Sequence, residues 1–325
     1  MLSFFRQNLF FNSLLLLPYT IIVRIHSLIY PESYASSEIE GWFNWTLFEW
    51  LKNVPVIQSI LAILLIFLQA VTINYIVNRH RLTLRPNLFP GVFYILLVSL
   101  SKESLYLNPV LFANVFFLLA VVNLFKTYRV AQVSTSIFNS AFFIGIASLF
   151  YMPTLLYLLP CFIALFMLRS FRVKERMQYL LGAVTALFLA FSIFFYFGLY
   201  HSFLQPYFNS NIALPQISDI QLKALIPTGL VLLAMIAVIT NYYSLRKKKS
   251  IQSQRKIDIL YWFLFFSPIM LLFWYRIDSW SLLLISMPLS ILIGMMLYRV
   301  KNQLIAELIH FVALAVIFTI HFGLI

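Results

Sequence analysis

The chain has 325 residues, 62% of them hydrophobic and only 10% charged, with 23 Lys and Arg and a formal net charge of +13. Soluble domains average about 45–50% apolar and about 25% charged residues, so a mean hydropathy of +0.92 leaves too few polar groups to cover a soluble surface. The single cysteine, Cys161, excludes an internal disulfide and a cysteine-based metal cluster.

The apolar residues come in continuous blocks of about 17–25, the length needed to cross roughly 30 Å of hydrocarbon as a helix. Continuous blocks, unlike alternating ones, exclude a β-barrel, and backbone satisfaction in lipid then requires helices. The expected fold is an all-α polytopic bundle of about eleven transmembrane helices, a single integral-membrane domain over 1–325. Spans are predicted near 8–29, 54–77, 87–101, 109–125, 136–150, 152–168, 177–200, 225–243, 257–275, 280–298 and 304–322. The third and fifth are short. The first contains Pro18 and Arg24, and no small-x-small cleavage site precedes Pro31, so it reads as a span rather than a cleaved signal.

Charge sorts by loop. With the N-terminus in the cytoplasm, every Lys and Arg except Arg24, Lys52, Lys102, Lys223 and Arg276 falls on the cytoplasmic side. That is the positive-inside pattern, and it predicts a bacterial inner membrane with the C-terminus in the periplasm. The largest cluster, Arg246 to Lys249 with Arg255 and Lys256, fixes topology and suits anionic lipid. The basic surplus is thus explained by membrane lipids, and no nucleic-acid partner is expected. Seven acids, Glu32, Glu38, Glu40, Glu49, Glu103, Asp219 and Asp278, fall outside.

Two outer loops, about 30–53 and 201–224, are long enough to carry function. In the first, Trp42, Trp45 and Phe48 recur at three-residue spacing, which predicts a short helix lying in the membrane interface. There is no P-loop or Rossmann glycine pattern, so no cofactor is expected.

Candidate chemistry gathers at the outer ends of spans. Arg24 and His26 lie near the outer end of the first. An ionisable group there is costly, and Arg24 either snorkels to the interface, pairs structurally, or holds an anionic head group. Glu32 follows in Tyr30-Pro31-Glu32, and Lys102-Glu103 lies between the third and fourth spans. Two such acids, brought together, could bind a metal or share acid/base work, and the alternative reading is that of ordinary loop acids. Arg276 and Asp278 form another outer pair. Glu307-x-x-His310 has the spacing of a di-iron helix but lacks the second motif such sites need, so no metal is expected.

In overall character, including Phe4-Phe-Arg-Gln-Asn8 and the block from Trp280, the chain resembles uncharacterised polytopic inner-membrane proteins of Bacteroidota. Its order of elements, with the interfacial helix after span one and the hairpin at Met152-Pro153, also resembles the GT-C glycosyltransferases. That resemblance implies a polyprenyl-linked sugar donor, with Glu32 and Glu103 matching the family's acids. The sequence departs from that family in having no Asp in the first outer loop, no DxD-like motif and no large outer domain.

Three functions follow as expectations. The first is a GT-C-like enzyme of envelope glycan assembly, with Glu32 and Glu103 catalytic and Arg24, His26, Lys102 and Arg276 binding a lipid-linked sugar. The second is a non-catalytic subunit of a membrane protein complex for secretion or envelope assembly. The third is a lipid or small-molecule transporter, which the scarcity of charge within spans disfavours.

Overall fold

A computed structural model describes residues 2–7, 10–31, 51, 53–199, 222–272 and 280–323. Among them there is no strand. Three short helices, α1 (Phe10–Leu14), α2 (Leu16–Val23) and α3 (Ile25–Ile29), occupy the predicted first span. Pro18 cannot donate to the carbonyl four residues back, at Leu14, where α1 ends. The second interruption is at Arg24, whose φ of −108° and ψ of 21° leave the helical region.

The chain continues through α4 (Pro55–Arg79), α5 (Phe89–Ser99), a 3-10 turn (Lys102–Leu105), α6 (Pro109–Lys126) and α7 (Ser134–Phe150). Another 3-10 turn (Met152–Tyr157), at the predicted hairpin, leads into α8 (Leu158–Leu168) and α9 (Val173–Tyr196). Then come α10 (Leu222–Thr240), α11 (Tyr242–Arg246), α12 (Ile251–Leu272), α13 (Trp280–Arg299) and α14 (Gln303–His321). Among the described residues five helices are long and apolar enough to cross a membrane: α4, α6, α9, α13 from Leu282, and α14. The interfacial helix predicted at Trp42, Trp45 and Phe48 lies outside the described residues.

Short α5 is the centre of the bundle, with every residue from Phe89 to Ser99 buried. Small residues let its neighbours approach, as they do between helices in lipid. A Cβ on Gly91 would stand 2.3 Å from Asn74 Nδ2 of α4, and one on Gly294 of α13 would stand 2.6 Å from Pro90 N. Buried amides fasten the same helices. Gly91 N donates to Asn74 Oδ1 at 2.8 Å, Gln69 Nε2 to Leu111 O at 2.6 Å, and Asn114 Nδ2 to Leu283 O at 3.0 Å. By contrast α9 and α14 leave long apolar side chains exposed along one side, Leu181, Phe188, Leu308 and Phe311 among them.

Basic loops meet at one end of the bundle. Arg6 lies over the Phe89 and Tyr298 rings. Arg169 Nη1 donates to Thr127 O and Val130 O, and Arg255 Nη1 donates to Met167 O. Ser253 Oγ reaches Arg81 O, and Arg299 donates to the carbonyls of Ser244, Leu245 and Lys247. These guanidiniums satisfy carbonyls of loops and helix ends that would otherwise have no intrahelical partner.

Candidate functional site

At the opposite end, the kink between α2 and α3 places Arg24 inside the bundle. Its side chain is 0% exposed. Nη1 donates to Ser104 Oγ at 3.0 Å, and Ser104 Oγ donates onward to Ser101 O at 2.7 Å. Ser27 Oγ satisfies the Arg24 carbonyl at 2.8 Å, which supports the kink. Nε and Nη2 have no hydrogen-bond partner. Arg24 does not snorkel, and no carboxylate among the described residues pairs with it.

Those two nitrogens form the edge of a guanidinium that grips an oxyanion bidentately. The same edge is used elsewhere in the protein. Arg169 Nε and Nη2 hold the two carboxylate oxygens of Glu175, each at 2.8 Å. An uncompensated charge in a low-dielectric interior is costly, and Arg24 carries one.

His321, at the end of α14, joins Arg24 to the rest of the site. Its Nε2 is 2.8 Å from Ser99 O, so it donates there and Nδ1 is left as an acceptor without a partner. The His26 ring centroid lies 6.3 Å away, and the Arg24 and Lys102 charges act on the same imidazole. Three residues predicted from sequence, Arg24, His26 and Lys102, therefore converge. Ser104 and His321 were not foreseen: a serine in a loop and a histidine near the end of the last span carry no motif. Tyr94 extends the polar region inward. Its hydroxyl donates to Gln69 Oε1 at 2.5 Å and also contacts Ser286 and Asn114.

Glu103 lies on the turn between Lys102 and Ser104, so its backbone is at this site. Glu32 and Arg276 lie outside the described residues. Among the described residues no three His, Cys, Asp or Glu side chains group as metal ligands. His310 Nε2 instead shares a 2.9 Å hydrogen bond with the Tyr19 hydroxyl.

The chain belongs to the DUF6427 family. That family, one of unknown function, matches residues 43–324. No curated protein and no solved structure matches the chain. Lys102, Ser104 and His321 fall within the matched segment, and Arg24 precedes it.

A second buried cation sits at the basic end. Lys256 is 0% exposed, and its Nζ lies 2.7 Å from His80 Nδ1 and 5.5 Å from the Phe125 ring centroid. Burial lowers the Lys256 ammonium to about 8. Burial first, then the charges of Lys256, Arg79 and Lys126, lower His80 to about 3. At neutral pH a charged lysine thus donates to a neutral imidazole.

Proposed function

We propose that this is an eleven-span protein of the bacterial inner membrane, N-terminus inside and C-terminus in the periplasm, that binds the phosphate of a lipid-linked substrate at Arg24. In its specific form the reading is a GT-C-like transferase of envelope glycan assembly. Glu103 and Glu32 are then the candidate bases for the acceptor, and Lys102 and His26 flank the phosphate. One observation carries the reading: the unpartnered Nε/Nη2 edge of a fully buried Arg24, the edge with which Arg169 holds a carboxylate. A phosphate diester or monoester presents two oxygens at matching spacing, and arginine is the side chain best fitted to it.

The test is binding of farnesyl phosphate, a short polyprenyl phosphate, to the purified protein. Arg24→Gln is expected to abolish binding, and Arg24→Lys to weaken it by at least tenfold, because a point charge cannot replace the bidentate edge. Full binding by Arg24→Gln overturns the phosphate site. The transferase is tested separately, with Glu32→Gln and Glu103→Gln assayed for envelope glycan. Unchanged product at normal protein levels removes the catalytic reading and leaves a binding protein.

The second reading is a non-catalytic subunit of a membrane complex. The apolar side chains exposed along α9 and α14 favour it, because a partner's helices could cover them as well as lipid. Purification in mild detergent that yields a monomer with nothing co-eluting counts against it.

A further inference from the structure

The start of α9, at the basic end and far from Arg24 along the chain, carries a second unpartnered guanidinium. Arg176 is 5% exposed, and Nε, Nη1 and Nη2 all lack a hydrogen-bond partner. Its Cζ lies 4.3 Å from the Phe166 ring centroid, 5.9 Å from Phe162 and 5.8 Å from Phe171. Three aromatic faces attract the cation, but they accept none of its five N–H hydrogen bonds. Glu175, the acid nearby among the described residues, is committed to Arg169. Arg172, with its side chain 66% exposed, reaches that carboxylate only at 3.9 Å, and Lys174 is exposed.

Positive charge is concentrated here in two further ways. Arg172, Lys174 and Arg176 bracket the first turn of α9, and the N-terminus of a 24-residue helix adds the positive end of its dipole and unsatisfied N–H groups. Beside the turn the surface is apolar: Phe171, Val173, Met177 and Leu180 are all exposed. A basic turn over an apolar strip has the two parts of a phospholipid, head group above and acyl chain below. Phe166 and Phe171, stacked at 5.9 Å, lie against Arg176 and are themselves 47% and 63% exposed.

We propose that the α8–α9 turn is a binding site for an anionic phospholipid, with Arg176, Arg172, Lys174 and the α9 N-terminus holding the phosphate and an acyl chain lying along Val173, Met177 and Leu180. The apolar strip is what assigns a lipid rather than free phosphate. The site is independent of the substrate reading at Arg24.

The full chain in nanodiscs of phosphatidylcholine with 25 mol% phosphatidylglycerol, against pure phosphatidylcholine, provides the test, with retained lipid counted by mass spectrometry. Phosphatidylglycerol is expected to be retained and to raise the thermal midpoint. Arg172→Gln, at an exposed position, should weaken retention about fivefold, the effect of roughly one basic residue near an anionic surface. Arg176→Lys should weaken it further while leaving the midpoint in pure phosphatidylcholine unchanged. Equal retention by the wild type and both variants overturns the proposal. So does an equal midpoint rise from inorganic phosphate alone, which would make the site one for a free anion.

Discussion

Arg24 donates to Ser104 across eighty residues of chain, and that single 3.0 Å bond is the only hydrogen bond its guanidinium makes among the described residues. The bond fixes one Nη and leaves the bidentate edge of the same group unsatisfied inside a helical bundle. A charge buried without a counter-ion costs stability, and a neutral side chain of similar length removes that cost. Arg24→Gln is therefore expected to raise the thermal midpoint of the ligand-free protein while abolishing phosphate binding. A lower midpoint would show that Arg24 is a structural residue whose charge is already compensated.

The Lys256–His80 pair predicts a pH profile. Below about pH 6.5 the unfolded chain protonates His80, while the folded chain keeps it neutral down to about 3. Stability should fall across that window, by at most about 1.4 kcal/mol per pH unit. Lys256 acts above neutrality. Between about 8 and 10.5 the folded chain releases a proton that the unfolded chain keeps, so stability should rise with pH there. Thermal midpoints from pH 4 to 7, measured for the wild type and His80→Gln, check the first limb. Parallel curves would exclude His80 as its source.

The α7–α9 contact should tolerate no added carbon. A Cβ on Gly182 would lie 2.3 Å from Phe138 O, and one on Gly145 would lie 2.6 Å from Ala186 Cβ. Backbone cannot yield as a side chain can, so Gly182→Ala should cost about 1–3 kcal/mol and exceed Gly145→Ala. Gly229→Ala is the control: no atom lies within 4 Å of its added Cβ, and alanine improves a helix interior by about 1 kcal/mol. Midpoints in one detergent rank the three.

Arg169 ties two loops together through Glu175 on one side and the carbonyls of Thr127 and Val130 on the other. Both side chains of the ion pair are 9% exposed. Removing one partner of such a pair leaves the other buried and unpaired. Glu175→Gln should thus destabilise toward the lower end of roughly 3–5 kcal/mol, and Arg169→Met with Glu175→Leu by less than the sum of the singles. Additive losses in the double-mutant cycle would show that the two residues act independently.

The helical, apolar character of this protein was legible in its sequence, because composition and block length leave a chain in lipid no other backbone structure. The alternation of basic loops was legible too, and the contacts of Arg6, Arg169, Arg255 and Arg299 gather those loops at one end. Arg24, His26 and Lys102 could be singled out because charge is scarce in such a chain. Their convergence could not. It depends on the kink at Arg24, on a 3-10 turn that presents Ser104, and on the last helix ending with His321 against Ser99, contacts between segments 80 and 222 residues apart. Local sequence governs span length and loop charge. Only packing around the buried α5 decides which helix ends meet, and so where an unpaired cation comes to lie.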